Sequence, residues 1–413
     1  MSERVIIIGA GIVGLCTAYS LVNSGWDVTV IDRGSPLSSR CSNGNAGMIV
    51  PSHFVPLAAP GMIAYGMKQL LNPESPFAIT PRMDARLLEW GIKFASSCTH
   101  QHVNACVELL RDMNLRSREL YIELNEVLGN TFDLTLRGLL MLCKTHAALE
   151  HEYAFADRAN ALGIPADKLT ATQVQSLDPS LTVDIAGGVY FPKDAHLSPD
   201  RLLVSLEGYL RGRGVKFHWD QTVESVNGQC DVQTHFTTLS ADKVVIASGT
   251  WSPLLTKDLG VRLPMQGGKG YSFIVDNPVE MPEICSILVE SRVAVTPMGG
   301  RLRIGGTMEI AGEDLSVNSR RVDGIRKSVA QYFPKFSGHL EHTAPVWSGL
   351  RPCSPDGLPY IGAIPSAPNV VVATGHSMMG LSLGPVTGDL VARIVNGQKP
   401  EFDTHQLRVN RWG

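Results

Sequence analysis

The N-terminal stretch that ends at Asp32 constrains the fold more than any other part of the chain. A continuous apolar run at residues 5–8 is typical of a buried parallel strand. It leads directly into Gly9-Ala10-Gly11-Ile12-Val13-Gly14, and a helical pattern follows over residues 15–24. A second apolar strand at residues 28–31 then ends at Asp32. The order strand, glycine turn, helix, strand and acid predicts a βαβ unit of the dinucleotide-binding kind.

Each glycine of the turn has a physical role in such a unit. Gly9 permits the tight turn, Gly11 lets the backbone approach a pyrophosphate, and Gly14 lets the helix pack closely on the strand. The N–H groups at the helix N-terminus attract phosphate oxygens, and the Asp32 carboxylate accepts hydrogen bonds from a ribose. We therefore expect a bound dinucleotide. The alternative is an ordinary βαβ unit with a glycine-rich turn.

The composition excludes several classes of partner. A net charge of −3 over 413 residues gives no basic surface for nucleic acid. The eight cysteines are scattered without a Cys-x-x-Cys pair, so we expect a reduced, cytoplasmic protein with no metal site. The apolar segment 54–71 is a candidate for peripheral contact with the inner face of the cell membrane, and the alternative is a core helix.

The two ends of the chain have a nucleotide-binding character that the middle lacks. An apolar strand at residues 243–247 runs into Ser248-Gly249 much as the first strand runs into Gly9. Two such strands are expected to lie side by side in one parallel sheet. Residues 261–346 instead show the alternation of antiparallel strands, with Gly299-Gly300 as a hairpin turn. We predict a discontinuous cofactor domain and an inserted substrate domain, formed respectively by residues 1–55, 195–260 and 345–413, and by residues 56–194 and 261–344.

Four motifs spread over the chain resemble one known family. They are the N-terminal glycine turn, Asn45-Ala46-Gly47-Met48 followed by Ala58-Ala59-Pro60-Gly61, Ala247-Ser248-Gly249-Thr250-Trp251, and the segment from Trp347-Ser348-Gly349-Leu350-Arg351-Pro352 to Gly375-His376. The chain resembles the D-amino-acid oxidase-like FAD oxidoreductases, which include glycine oxidase, sarcosine oxidase and the bacterial D-amino-acid dehydrogenases. The Asn-Ala-Gly loop and the following Ala-Ala-Pro-Gly are most similar to the dehydrogenases.

The resemblance implies an α/β fold, α+β overall. It consists of a Rossmann-type FAD-binding domain of the glutathione-reductase-like kind and an inserted antiparallel-sheet substrate domain. The implied cofactor is FAD rather than NAD. The linking cysteine of monomeric sarcosine oxidase falls at Gly349 here, so the FAD is expected to be non-covalent. The residues expected to contact it are Gly9, Ala10, Gly11, Ile12, Val13, Gly14, Asp32, Arg33, Ser39, Arg40, Asn43, Asn45, Ala46, Gly47, Met48, Val223, Ser248, Gly249, Trp251, Gly349, Gly375, His376, Gly380, Leu381 and Ser382.

Four side chains are candidates for contact with the substrate. In the family, the position of Arg351 clamps the substrate carboxylate, which suits the paired donors of a guanidinium. The alternative is a structural arginine that bridges loops. Tyr271 is a candidate second donor, or else a half-buried strand tyrosine. His376 and His53 are candidates to contact the amine or a ring hydroxyl, although a lone histidine is more often structural.

The resemblance implies oxidative deamination of a D-amino acid by hydride transfer from the α-carbon to flavin N5. Met378-Met379 stands where glycine oxidase has a second carboxylate-binding arginine. Together with Asp194-Ala195-His196-Leu197, this departure leaves room for a cyclic imino acid, so D-proline and hydroxy-D-proline are candidate substrates. Electrons would pass to a quinone or another acceptor of the respiratory chain. One alternative is a glycine or sarcosine type of oxidase that reduces oxygen to hydrogen peroxide. Another is a flavoprotein subunit that mainly binds partners. No acid or base residue is assigned.

Overall fold

The computed structural model describes residues 2–36, 40–69, 72, 74–341 and 345–412. Ser39, a predicted cofactor contact, lies outside these residues. The helices of the described residues are α1 Ile12–Asn23, α2 Met62–Gln69, α3 Ala85–Ser97, α4 His100–Leu128, α5 His146–Ala161, α6 Ala171–Leu177, α7 Pro199–Gly212, α8 Ser252–Thr256, α9 Ser319–Tyr332 and α10 Gly384–Val395. The strands are β1 Arg4–Ile8, β2 Asp27–Ile31, β3 Met48–Ile49, β4 Phe77–Ile79, β5 Leu139–Cys143, β6 Asp167–Thr170, β7 Gly187–Phe191, β8 Ala195–His196, β9 Lys216–His218, β10 Val223–Val226, β11 Asp231–Thr234, β12 Thr238–Ser240, β13 Lys243–Ile246, β14 Gln266–Asp276, β15 Cys285–Leu288, β16 Val293–Met298, β17 Arg301–Ile310, β18 Trp347–Cys353, β19 Tyr360–Ile364 and β20 Ala367–Thr374.

A six-stranded sheet carries the predicted βαβ unit. Its strand order is β19-β20-β13-β1-β2-β9, and β1 pairs in parallel with both β2 and β13. The predicted pairing of the two strands that end in glycine-containing turns is therefore confirmed. Ile8 lies opposite Ile246, so both strands end at the same edge of the sheet. Gly9 has a φ of +112° there, and a Cβ atom on it would lie 2.5 Å from the carbonyl oxygen of Ala247. This close approach requires glycine.

A larger sheet forms the second layer of strands. Its order is β18-β14-β17-β16-β15-β5-β7-β6, and β4 pairs with β17. Most neighbours are antiparallel, while β15–β5 and β17–β4 are parallel. The predicted Gly299-Gly300 turn does join two of these strands, β16 and β17. The sequence-based boundaries place β18 with the cofactor domain, but this strand pairs with β14 of the larger sheet.

Helix α10 closes the first sheet by packing on α1. The contact is close because a Cβ atom on Gly388 would lie 2.5 Å from the Cys16 carbonyl oxygen. Tyr121 of α4 is buried beside this helix pair, and its hydroxyl donates to the Leu381 carbonyl oxygen at 2.7 Å. These contacts fix the start of α10 against the glycine turn after β1. Among the described residues, no helix combines the length and the apolar character needed to span a bilayer.

A matched pair of substitutions tests the α1–α10 contact. Glycine to alanine inside a helix gains about 0.5–1 kcal/mol from backbone entropy, while overpacking a tight contact costs about 1–3 kcal/mol. Gly388→Ala should therefore lower the free energy of unfolding. Gly208→Ala in α7, where a Cβ atom meets nothing within 4 Å, should leave it unchanged or raise it. Denaturant unfolding followed by tryptophan fluorescence measures both. Equal stability of the two variants would show that α1 and α10 do not pack this closely.

Candidate active site

A cavity of about 570 Å³ lies where the two sheets meet. Its wall is formed by the end of β1 with the start of α1, the segments after β2, β13 and β20, and strand β18. This places it at the carboxyl ends of the parallel strands, where α/β sheets bind their ligands. The volume falls within the roughly 300–1,000 Å³ that is usual for cofactor and small-molecule sites.

The nucleotide end of the cavity is preorganised around Asp32. Its Oδ2 accepts from the Ala10 backbone N–H at 2.7 Å, and its Oδ1 accepts from the Gly34 N–H at 2.8 Å. Each carboxylate oxygen keeps a second acceptor site for a ribose hydroxyl. Beside it, the Arg33 guanidinium stacks on the Trp251 ring at 3.5 Å from the ring centre. Because both groups line the cavity, they form a flat wall suited to a nucleotide.

The phosphate-binding part of this end also fits a dinucleotide. Gly11 is the N-cap of α1, so the first N–H groups of the helix point toward the cavity without intrahelical partners. A Cβ atom on Gly14 would lie 1.8 Å from the Gly9 carbonyl oxygen, which shows how tightly the turn is wound. One of the helix donors, the Ile12 N–H, is held by the Ser42 Oγ at 3.0 Å. The backbone of this turn therefore borders the space that a pyrophosphate would occupy.

The loop at residues 40–47 is fixed from the second sheet. Arg303 of β17 donates through Nη1 to the carbonyl oxygens of Asn43 and Asn45, at 2.5 and 2.9 Å. Ser272 of β14 donates to the Gly44 carbonyl oxygen at 3.0 Å. A carbonyl group and the N–H of the same planar peptide point in opposite directions. The N–H groups of Gly44 and Ala46 are therefore turned away from the second sheet.

Arg351 is a half-buried cation in the wall of the cavity. Its guanidinium lies against Gly270, where a Cβ atom would be only 2.3 Å from Nη1. Nη1 donates to the Thr307 carbonyl oxygen at 2.8 Å. Burial lowers the pKa of Arg351, and among the described residues no carboxylate lies within ion-pair distance of it. A half-buried guanidinium with donors to spare is expected to bind an anion.

Thr307 owes its position to a bulge between β14 and β17. The register of the two strands shifts between Lys269 and Tyr271, which leaves an extra residue on β17. Thr307 takes a φ of +69° at this point. A β-branched residue rarely adopts this conformation, which costs on the order of 1–3 kcal/mol. The strained peptide directs the Thr307 carbonyl oxygen toward Arg351.

Tyr271 lies on the other face of the same sheet. It is 1% exposed and is absent from the cavity wall. Its hydroxyl donates to Glu309 Oε2 at 2.8 Å, and that carboxylate is also 3.7 Å from Lys269 Nζ. Burial, reinforced by Glu309, raises the pKa of the phenol. Tyr271 thus belongs to a buried polar network, and its predicted contact with the substrate has no geometric basis in this cavity.

The two candidate histidines differ in position but share a charge state. His376 lines the cavity, with Nε2 2.9 Å from the Thr387 Oγ1, and burial lowers its pKa to about 3. His53 is not in the wall. Its Nδ1 lies 3.0 Å from the Ser52 Oγ, and burial, together with nearby Arg292, lowers its pKa to about 4. Both imidazoles are neutral at pH 7 and add no positive charge.

Of the predicted cofactor residues, a larger group lies in the cavity wall and a smaller group lies behind it. Those in the wall are Gly9, Gly11, Ile12, Val13, Asp32, Arg33, Arg40, Asn45, Val223, Ser248, Gly249, Trp251, Gly349, His376, Gly380 and Leu381. Those behind it are Ala10, Gly14, Asn43, Ala46, Gly47, Met48, Gly375 and Ser382. The Ser382 hydroxyl, for example, donates to Asn114 Oδ1 and accepts from the Val50 N–H, so it supports the wall from outside.

Several residues of the site were not predicted from the sequence. Cys41 and Ser42 lie in the wall, and the polar composition of their loop was the signal that pointed there. Desolvation by the surrounding cavity wall raises the pKa of the Cys41 thiol to about 11 although part of the residue is exposed, so the thiol is protonated at pH 7. Arg303 and Ser272 fix the loop although they are far from it in the sequence, and no local pattern signals such a contact.

The fold and the cavity define a dinucleotide-binding protein, and the comparisons with known proteins show that it is an oxidoreductase and specify the family. Residues 4–394 match the DAO family, described as FAD dependent oxidoreductase. The chain belongs to this family, and its cofactor is FAD. It is 32% identical to a D-amino acid dehydrogenase of Rhizobium johnstonii over 99% of this chain and 100% of the relative. A D-amino acid dehydrogenase of Paramagnetospirillum magneticum is 31% identical over 99% of both chains.

Solved structures show the same fold. Glycine oxidase from Geobacillus kaustophilus aligns with a TM-score of 0.80 at 24% identity, covering 99% of both chains. L-proline dehydrogenase from P. horikoshii aligns with a TM-score of 0.72 at 18% identity, covering 99% of this chain and 97% of the other. The predicted Rossmann-type cofactor fold with a second sheet is therefore confirmed.

The raised pKa of the buried Asp194 carboxyl group can be tested through the pH dependence of stability. Asp194 accepts from the Ser52 N–H at 3.0 Å and from the Ser52 hydroxyl at 2.5 Å, and burial raises its pKa from 3.8 to about 7. In the unfolded chain this group ionises near pH 4, but in the folded protein only near pH 7. Its stabilising contribution is therefore complete below pH 4 and is lost as the pH rises to 7, by about 1.4 kcal/mol for each unit of pKa difference.

Asp194→Asn replaces the carboxyl group, which keeps its proton up to about pH 7 in the folded protein, with an amide that does not titrate. The stability of this variant relative to the wild type should improve between pH 4.5 and pH 7.5, as measured by denaturant unfolding at both values. Asp276→Asn, at an exposed position, controls for the loss of one carboxyl group. A stability difference for Asp194→Asn that is the same at both pH values would contradict the raised pKa.

Proposed function

We propose that this protein is an FAD-dependent dehydrogenase that oxidatively deaminates a D-amino acid and passes the electrons to a quinone or another acceptor. The observation that carries the proposal is the half-buried Arg351 guanidinium in the wall of the FAD cavity, with no carboxylate partner among the described residues. An α-amino acid supplies the missing carboxylate. Full-length relatives named D-amino acid dehydrogenase support the D configuration.

Arg351 is proposed to bind and orient the substrate. With Nη1 held by the Thr307 carbonyl oxygen, the guanidinium cannot rotate freely, and its remaining donors have a defined direction. A carboxylate bound to them places the α-carbon at a fixed distance from the β18 wall. The bound FAD supplies the two-electron oxidation by accepting a hydride from that carbon. Positioning of this kind is the main contribution that a protein makes to a hydride transfer.

The groups around Arg351 leave the proton chemistry to the substrate. His376 is neutral and weakly basic because burial lowers its pKa to about 3, and Cys41 stays protonated because its pKa is about 11. Neither is a strong base at pH 7. The substrate amine must therefore lose its proton before hydride can leave the carbon. Activity is expected to rise with pH as the neutral amine becomes more abundant.

The proposed substrates are small and largely apolar. Met378 lies in the wall, and Leu350 and Pro352 flank Arg351 there. This side of the cavity offers one guanidinium and apolar surface, and among the residues described in its wall there is no second cation near the methionine. D-proline and hydroxy-D-proline remain candidates on this basis. The second candidate function is an oxidase of the glycine or sarcosine type, which the shared fold with glycine oxidase keeps open.

Arg351→Ala tests the carboxylate clamp. Hydrogen bonds to a charged group contribute about 1.5–3 kcal/mol each, so losing two of them should raise the substrate KM roughly 100-fold or more. The absorption spectrum of the bound flavin should stay intact, because Arg351 does not hold the nucleotide end. Arg262→Ala, at a side chain that is 81% exposed, is the matched control and should leave KM unchanged. A normal KM combined with lost flavin would contradict the clamp.

A dye-reduction screen tests the substrate class. The purified yellow protein should bleach anaerobically with D-amino acids and then reduce an artificial electron acceptor, whereas L-amino acids should do neither. The same reactions under air should form little hydrogen peroxide. Bleaching by L-amino acids alone would overturn the stereochemical assignment, and stoichiometric peroxide would favour the oxidase.

A further inference from the structure

A second, smaller cavity of about 180 Å³ lies on the same face of the larger sheet as Arg351. Strand register places its side chains together. Ile274 is directly opposite Arg303, and Ser272 is directly opposite Trp347, so all four project from one face. Along β18, every second residue from Trp347 lies on this face, which brings Arg351 onto it as well. The two cavities are therefore neighbours on one surface.

The Trp347 side chain separates the two cavities and lines both of them. Its ring lies against Gly44, where a Cβ atom would be 2.1 Å from Cδ2, and against Gly349, where a Cβ atom would be 2.1 Å from Cη2. Only glycine fits at either position. The indole therefore stands directly between the FAD cavity and the second cavity.

Arg303 gives the second cavity a strong hydrogen-bond donor. Its residue surface is 6% exposed, and burial lowers its pKa. Nη1 is taken by two backbone carbonyl oxygens, but Nε and Nη2 have no acceptor among the described residues. Because this guanidinium lines the cavity, its open donors can bind an acceptor atom of a ligand there. Asp200 also lines the cavity, and its carboxylate disfavours an anionic ligand there.

We propose that this cavity binds the electron acceptor of the enzyme, a quinone head group. The ring would stack at Trp347, and a quinone carbonyl oxygen would accept from Arg303. Arg303 would then stabilise the negative charge that builds on this oxygen as electrons arrive. The quinone is neutral and planar, and its carbonyl oxygens are acceptors for the open Arg303 donors. This inference rests on the proposed function, because it assigns a place to the acceptor of that reaction.

The electrons and protons of the proposed step balance. The amino acid loses two electrons and two protons when its Cα–H bond breaks and its C–N single bond becomes an imine. The quinone gains two electrons and two protons, and its two carbonyl groups become the hydroxyl groups of a hydroquinone. The electron pair passes from one site to the other, so no further oxidant or reductant is consumed. Because the sites are separate, the amino acid and the quinone do not compete for one cavity.

Anaerobic stopped-flow absorbance tests the site in the holoenzyme. The enzyme is reduced with D-proline or, in a parallel arm, with dithionite, and is then mixed with 2,3-dimethoxy-5-methyl-1,4-benzoquinone. The reoxidation rate of the wild type should saturate with quinone concentration. Ile274→Trp should fill the cavity and slow reoxidation at least about tenfold at low quinone, which corresponds to about 1.4 kcal/mol of lost binding. The rate of flavin bleaching by D-proline should not change. Val279→Trp, at an exposed residue, is the control.

A second pair of variants at the same position keeps the site testable if Ile274→Trp folds poorly. Ile274→Glu places a carboxylate opposite Arg303, where it would pair with the open donors, and Ile274→Gln is its neutral counterpart. The Glu variant should reoxidise more slowly with quinone than the Gln variant. Reoxidation that is linear in quinone, or equal in all variants, would overturn the site. Saturation and Ile274 sensitivity in the dithionite arm alone would retain the site and reject D-proline as the substrate.

Discussion

The three hydrogen bonds from the larger sheet to the carbonyl oxygens of residues 43–45 are the contact on which the site depends. Arg303 and Ser272 provide them, from strands that are remote from this loop in the sequence. They bind the cofactor loop to the sheet that carries Arg351. The FAD cavity lies between these parts, so its width is set by these bonds. Without them, the loop at residues 40–47 would separate from the strand that carries Arg351, even though each sheet kept its own core.

Two arginines on one sheet face, Arg303 buried and Arg351 half-buried, bind their hydrogen-bond acceptors in the same way. Each guanidinium is partly satisfied by backbone carbonyl oxygens, Arg351 by Thr307 and Arg303 by the 43–45 loop. Backbone carbonyls hold a cation in place without neutralising it. The remaining donors and the positive charge then face a cavity in each case. Since Trp347 lines both cavities, the face is suited to a carboxylate group on one side and a neutral acceptor on the other.

The sequence predicts the parts of this arrangement that are local. The βαβ unit follows from the short spacing of strand, glycine turn and acid, and the pairing of β1 with β13 follows because both strands end in the same kind of turn. The position of Tyr271 could not be predicted in this way. Alternation along β14 places it on one face with Lys269, but which face meets the cavity depends on the register with β18. That register is set by pairing between two segments that are distant in the sequence, and it leaves no local signal.

The strain at Thr307 explains why the same strand pair serves both cavities. A regular β14–β17 ladder would keep the Thr307 carbonyl oxygen in the plane of the sheet, bonded to a neighbouring strand. The bulge between Lys269 and Tyr271 releases it, and the left-handed backbone of Thr307 turns it toward Arg351. Beyond the bulge the register is regular again, so Ile274 and Arg303 face each other as a normal pair. The bulge at Thr307 therefore allows one continuous sheet to hold Arg351 through a backbone carbonyl oxygen at one point and to present the open donors of Arg303 at the next.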